Sequence, residues 1–123
     1  MRPRNRTSAR SAGTRFESSI ARHLAIALAD DRIERRAKTG ARDRGDIAGV
    51  RHMGQRVVIE CKNTTRLDLA GWAAEVETER GNDDAVAGVI ISKRHGKGQP
   101  GDQWVHMTLR DFVALLTGER VAQ

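Results

Sequence analysis

Two hydrophobic periods alternate along this chain, one typical of helices and one typical of strands. Apolar residues recur every four positions from Phe16 to Leu28, which predicts an amphipathic helix with one buried stripe. The capping-box pattern Thr14-x-x-Glu17 overlaps the start of this stripe, so we expect the helix to begin at Thr14. Its predicted end is near Asp30.

Short strands are predicted in the middle of the chain. Ile33 to Ala37 and Ile47 to Val50 have strand-like composition, and a polar loop from Lys38 to Gly45 separates them. Residues 57–61 form an apolar run that predicts a third strand, and the turn-forming residues 52–55 come directly before it. We therefore expect the second and third strands to form a hairpin.

The next segment predicts a crossover between parallel strands. Asp68 is the expected N-cap of a second helix that runs to about Arg80, with Gly81 as its stop. Ala85 to Ile91 is a continuous apolar run, as in a strand that is covered on both faces. The third strand, this helix and the apolar run therefore predict a βαβ unit.

The remaining elements complete an α/β pattern. Lys93 to Asp102 is a loop rich in glycine and basic residues, and Trp104 to Met107 is the last predicted strand. Thr108-x-x-Asp111 caps a final helix that ends at about Thr117. The order α-β-β-β-α-β-β-α predicts a mixed sheet with helices on both faces.

The first 13 residues differ in composition from the rest. They carry four arginines and no acid among small and polar residues, which predicts a disordered basic tail followed by one domain over residues 14–123. The arginines are Arg2, Arg4, Arg6 and Arg10. This tail is either an arm that contacts DNA or only a solubilising extension.

Charge and composition favour a nucleic-acid partner. The net charge is +6, and most of the cations are arginines, whose planar guanidinium pairs well with phosphate. With 3% aromatic residues and no tyrosine, a base-stacking surface for single strands is disfavoured, and contact with the backbone of a duplex fits better. A single cysteine excludes an internal disulfide and a cysteine-rich zinc site. No segment predicts a membrane span or a signal peptide, so we expect an intracellular protein.

Asp46, Glu60 and Lys62 are the strongest candidates for chemistry. In a strand, Glu60 and Lys62 share one face about 7 Å apart. If the hairpin turn is centred on Met53, position 50 faces 56, position 48 faces 58 and Asp46 faces Glu60. Opposed carboxylates about 5 Å apart destabilise a sheet unless a cation lies between them. This predicts a metal site, and the alternatives are a solvated Lys62–Glu60 ion pair or a one-residue slip that moves Asp46 to the other face.

This arrangement resembles the core of the PD-(D/E)xK nucleases, and the matching segments are residues 44–48 and 57–62. The resemblance implies a restriction-endonuclease-like fold and Mg²⁺, or Mn²⁺, held by Asp46, Glu60 and the backbone carbonyl of Cys61. Lys62 would orient the attacking water or stabilise the phosphate in the transition state.

Within that superfamily the chain resembles the Holliday junction resolvases of archaeal and phage type. The resemblance implies that Glu17, on the first helix, joins the metal site, although a capping-box role suits it equally, and that Thr39 lies near the active site. It implies an endonuclease that resolves four-way junctions in branched double-stranded DNA. Because such a junction has two-fold symmetry and is cut on two strands, we expect a homodimer. Trp72 and Leu116 are candidate contacts if the core does not use them. The alternatives are a nicking, repair or restriction-type nuclease on the same core, or a non-catalytic basic DNA-binding protein.

Two basic clusters are predicted to contact DNA phosphates. The first precedes Asp46 and consists of Arg32, Arg35, Arg36, Lys38, Arg42 and Arg44. The second follows the apolar strand and contains Lys93, Arg94 and Lys97. The second cluster lacks the pattern of a nucleotide-binding phosphate loop, which disfavours nucleotide hydrolysis. A solvated charge run is the alternative for the first cluster.

Overall fold

Three helices and six strands make up the part of the chain that the computed structural model describes, residues 5–37, 40 and 42–121. The helices are α1 (Arg6–Ala27), α2 (Leu69–Asp83) and α3 (Leu109–Thr117), with a short 3-10 helix at Pro100–Asp102. The strands are β1 (Glu34–Arg35), β2 (Ile47–Ala48), β3 (Arg51–His52), β4 (Gln55–Lys62), β5 (Ala87–Ser92) and β6 (Trp104–His106).

The strands form one open, mixed sheet in the order β1-β2-β4-β5-β6, and β3 pairs with the start of β4. β4 and β5 are parallel and the other pairs are antiparallel. Since α2 connects β4 to β5, the predicted βαβ crossover is confirmed. The α/β class and the predicted order of elements are also confirmed, except that the second predicted strand is divided into β2 and β3.

Different helices cover the two faces of the sheet. Ile59 of β4 belongs to a core cluster with Phe16 of α1. Ile90 of β5, the register partner of Glu60, packs in a second cluster with Trp72 of α2. Side chains alternate along β4, so Glu60 and Lys62 both face α2. Trp72 is buried in this core, so it is not available as a dimer contact.

The hairpin contains a bulge that the sequence pattern did not indicate. Ile47 pairs with Ile59, which puts Asp46 next to Glu60 as predicted, but Arg51 pairs with Arg56 where position 50 was expected. One extra residue is therefore accommodated between β2 and β3, at Gly49. Gly49 has φ +92°, and a Cβ there would lie 2.5 Å from the carbonyl oxygen of Arg32, so only glycine fits this bend.

Helix ends agree with the predictions in part. Asp68 and Thr108 cap α2 and α3 through their side chains, as expected. The predicted start of α1 at Thr14 was wrong, because Asn5 caps this helix and residues 6–13, expected to be disordered, are helical. Gly81 does not stop α2, which continues to Asp83.

Candidate metal centre

Asp46 is fixed against β4 by backbone hydrogen bonds. Its amide donates to the carbonyl of Ile59 at 2.8 Å, and its own carbonyl accepts from the amide of Arg36 at 2.7 Å. The carboxylate of Asp46 is buried and accepts from the amide of Cys61 at 2.8 Å. Gly45 makes this approach possible, because a Cβ at that position would lie 2.9 Å from the Ile59 carbonyl oxygen.

Glu60 and Lys62 lie on the α2 face of β4, as the strand period predicts. Glu60 is 5% exposed, and its Oε1 has no hydrogen-bond partner among the described residues. The Lys62 Nζ lies 3.5 Å from Glu60 Oε2 and donates to Glu75 Oε2 at 2.9 Å. Burial raises the pKa of Glu60 well above its usual range, and the nearby carboxyl groups of Glu75 and Asp46 raise it further.

The positive charge of Lys62 is retained in this environment. Burial by itself lowers the pKa of Lys62, but the hydrogen bond to Glu75 and the attraction of Glu60 raise it overall. Lys62 is therefore an ammonium held between the carboxyl groups of Glu60 and Glu75, with Asp46 next to Glu60.

Helix α2 contributes two carboxylates that were not predicted. Glu75 and Glu79 are one turn apart, and Glu79 is 1% exposed with neither side-chain oxygen bonded within the described ranges. One carboxylate oxygen from each of Asp43, Glu75 and Glu79 lies within 4.8 Å of the other two. Burial raises the pKa of Glu79 to about 7, the adjacent Glu60 carboxyl group opposes this shift, and the charges of Asp43 and Glu75 add to it.

A weak sequence signal existed for Glu79. The buried positions of α2 are Trp72, Val76, Glu79 and Asp83, which follow helical spacing. The apolar stripe of Trp72 and Val76 therefore continues onto Glu79, where a carboxylate replaces the expected apolar residue. An acid at a core position of a helix facing Glu60 indicates a polar site.

The donor set fits a hard divalent cation. Five acidic side chains adjoin one another on the α2 side of the sheet, and the ammonium of Lys62 is bonded among them. They are Asp43, Asp46, Glu60, Glu75 and Glu79. Buried carboxylates repel each other strongly unless a proton or a cation separates them. Oxygen ligands of this kind are those that Mg²⁺ and Mn²⁺ prefer.

Glu17 and Cys61 lie on the α1 side of this region. Glu17 accepts a hydrogen bond from Arg35 Nε at 2.9 Å and is mostly buried. Burial raises the pKa of the Cys61 thiol well above its usual range, and the charges of Asp46 and Glu17 raise it further. Glu17 therefore lies on the α1 side of β4. Its role as a metal ligand stays a prediction, and so does that of the Cys61 carbonyl. Its predicted capping-box role was wrong, because α1 begins 11 residues earlier at Arg6.

Part of the first basic cluster lines a cleft beside the strand that follows Asp46. Arg36 and Arg44, with Arg51 and Arg56, line a cleft of about 400 Å³ beside β2 and the end of α2. The Arg36 Nε is buried and has no partner within the described part of the chain. Arg42 is exposed, and its contact with DNA stays a prediction. Thr39 and Lys38, two of the predicted site residues, lie outside the described residues.

The loop after β5 is adjacent to Lys62. The amide of Lys93 donates to the carbonyl of Lys62 at 2.9 Å, so this basic loop begins at the same end of the sheet. Within the loop, the guanidinium of Arg94 lies 4.5 Å from the ring centre of Trp104, and Lys93 Nζ bonds to the carbonyl of Lys97. The exposed Lys97 and the partly exposed Lys93 and Arg94 stay predicted DNA contacts.

A larger cleft of about 760 Å³ lies between α2 and α3 and is lined by Arg80, Arg110 and Arg120. It contains none of the five carboxylates described above, so we do not associate it with the metal centre. Within the residues that the structure describes, no helix combines the length and the apolar character needed to cross a membrane.

Comparison of the whole chain with known proteins found no matching family model, no matching curated protein and no matching solved structure.

Proposed function

We propose that this chain is a Mg²⁺-dependent DNA endonuclease with a PD-(D/E)xK active site. The observation that carries the proposal is the convergence of Asp46, Glu60 and Lys62 at one buried position, where Glu60 Oε1 lacks a partner among the described residues. A salt bridge that served only stability would not need two further acids beside a single lysine. The restriction-endonuclease-like fold is part of this proposal, supported by the mixed sheet with β4 and β5 in parallel at its centre.

The mechanism assigns a separate task to each residue. Asp46 and Glu60, with the Cys61 carbonyl, would hold Mg²⁺, which supplies a water of lowered pKa and offsets negative charge on the phosphate. The amide of Cys61 holds one carboxylate oxygen of Asp46 in place, next to the carboxyl group of Glu60. Glu60 and Glu75 hold the ammonium of Lys62 in place. From there Lys62 would orient the attacking water and stabilise charge developing on the phosphoryl oxygens.

The proposed substrate is branched double-stranded DNA, with the four-way junction as the preferred form and a homodimer as the active species. The resemblance to Holliday junction resolvases and the basic surroundings of the carboxylates support this. The cleft lined by Arg36 and Arg44 can receive phosphates on the side of β2, and the loop at Lys93 can do so on the side of β5. A nicking, repair or restriction-type nuclease would share the same centre and differ in the DNA that it cuts.

The decisive experiment compares cleavage of labelled four-way junctions and linear duplexes with Mg²⁺ and with chelator. We expect metal-dependent cutting of the junction that is lost in Asp46→Asn and Glu60→Gln. Glu119→Gln removes an exposed carboxylate at the end of α3 and should cut like the wild type. Binding of DNA without cutting under every metal condition would instead support a non-catalytic DNA-binding protein. Cutting of linear duplex with equal efficiency would keep the nuclease and reject the resolvase.

A further inference from the structure

We propose that Asp43, Glu75 and Glu79 form a second divalent-cation site, separate from the Asp46–Glu60 pair and built on helix α2. This inference goes beyond the proposed nuclease centre, since it concerns ion binding by residues that the PD-(D/E)xK pattern does not contain. The ligand class is a hard divalent cation such as Mg²⁺, Mn²⁺ or Ca²⁺.

The spacing of the three carboxylates matches a single ion. One oxygen from each carboxylate lies within 4.8 Å of the other two. Two oxygens bound to the same cation at about 2.0–2.6 Å cannot be more than roughly 5 Å apart. The three side chains can therefore surround one ion without movement of the backbone.

Glu79 supplies the second observation. It is 1% exposed, and neither of its side-chain oxygens has a hydrogen-bond partner in the described part of the chain. It lies on the same helix face as the buried Trp72 and Val76, where an apolar side chain would pack without cost. The ammonium of Lys62 donates to Glu75. A buried carboxylate without a donor is strongly disfavoured, so its retention at this position points to a cation that is its missing partner.

The backbone around the site is held in place and leaves an opening. The Asn82 side chain of α2 donates to the carbonyl of Asp43 at 2.8 Å, which ties the loop to the helix. The amide of Gly45 donates to Asp43 Oδ1 at 2.9 Å and orients the carboxylate. Asp43 is exposed and the side chain of Glu75 is 41% exposed, so an ion can enter from solvent and keep some of its water.

The test is the number of Mn²⁺ ions bound per chain by the full-length, metal-free protein. Free Mn²⁺ can be counted by electron paramagnetic resonance during titration with manganese chloride, without any DNA or activity measurement. We expect two bound ions in the wild type and one in Glu79→Gln. Asp43→Asn, in an exposed loop, should weaken binding of the second ion at least tenfold. This variant replaces Glu79→Gln in the test if Glu79→Gln does not fold. Glu77→Gln is the matched control, because Glu77 is on α2 but pairs with Arg80 and Arg120.

The outcomes separate the two sites. Loss of one ion in Asp46→Asn and of the other in Glu79→Gln supports both. If Glu79→Gln loses an ion while Asp46→Asn loses none, the second site stands and the nuclease centre fails. A wild type that binds a single ion lost in both variants would overturn the second site, since one shared ion would then serve all the carboxylates. Unchanged binding in both Glu79→Gln and Asp43→Asn would overturn it as well.

Discussion

At the residue scale, the carboxylate cluster should control how stability depends on pH in the absence of metal. Burial first, and the neighbouring acids next, raise the pKa of Glu79 from 4.5 to about 7. The unfolded chain releases this proton at lower pH than the folded chain does. The stabilisation that comes from protonated Glu79 is therefore fully present below pH 4.5 and is lost as pH rises through about 7. Asp30 acts in the opposite direction, but Arg32 lowers its pKa to about 2, so its effect is confined to acid solution.

We therefore expect the melting temperature in chelator to fall as pH rises from about 4.5 through about 7. Glu79→Gln should make that fall shallower, and the raised pKa of Glu60 should sustain the part that is left. Calorimetry or circular dichroism at several pH values would measure it. An unchanged pH profile in Glu79→Gln would show that this side chain ionises in the folded state as readily as in the unfolded one.

Lys62 should separate catalysis from metal binding. Lys62→Met keeps the aliphatic stem and removes the charge, so turnover should fall about 100-fold or more, by analogy with the loss of an electrostatic contact in other active sites. Mn²⁺ binding should persist, because an ammonium is not a ligand. Lys97→Met, at an exposed lysine, is the control, and it should affect DNA affinity but not turnover at saturating DNA. Wild-type turnover in Lys62→Met would mean that Lys62 only forms an ion pair that stabilises the structure.

At the element scale, local patterns predicted most elements and missed what depends on distant contacts. The βαβ crossover and the caps Asp68 and Thr108 follow from sequence neighbours and are confirmed. The start of α1 was missed because residues 6–11 are all exposed, so their helix carries no apolar period. In the site, the strand period predicted that Glu60 and Lys62 share a face. Glu75 and Glu79 were missed because packing of α2 on β4 brings them there.

The bulge at Gly49 is the clearest test of such a distant contact. Gly49→Ala should lower the free energy of unfolding by more than about 2 kcal/mol, because it adds a clash with Arg32 to the cost of a positive φ. Gly54→Ala is the matched control, since Gly54 also has positive φ but a Cβ there would meet nothing within 4 Å. Urea denaturation of both variants would compare them. Equal destabilisation would mean that the close approach to β1 contributes nothing.

At the scale of the whole molecule, the net charge of +6 predicts DNA binding that weakens steeply with salt. Each phosphate contact adds about 0.9 to the slope of log affinity against log salt concentration for a duplex. Arg44→Ala, in the cleft beside Asp46, should reduce this slope by about one unit. Arg22→Ala removes an exposed arginine from α1 and serves as the control. Equal slopes for the two variants would exclude the Arg36–Arg44 cleft as the path of the DNA backbone.

Helix α3 carries several exposed apolar side chains. Its exposed side chains are Leu109, Phe112, Val113 and Leu116, and Val105 on the edge strand β6 is exposed as well. Trp72 is unavailable for association, but Leu116 is 67% exposed, so the predicted role of Leu116 in a dimer stays open. A four-way junction has two-fold symmetry and must be cut on two strands, which calls for two copies of a chain with one nuclease centre. One self-complementary patch is sufficient to build such a dimer.

We therefore expect a symmetric dimer that associates through α3 and binds four-way junctions far better than linear duplex. Leu116→Lys should convert it to a monomer at micromolar concentration, because a charge would have to be buried in the contact. Sedimentation velocity would measure the mass, and competition binding would measure the preference for junctions. Leu67→Lys, at an equally exposed leucine before α2, should leave the mass unchanged. If the wild type is a monomer that binds linear and branched DNA equally, the resolvase assignment fails, whereas cleavage that depends on Asp46 and Glu60 could still stand.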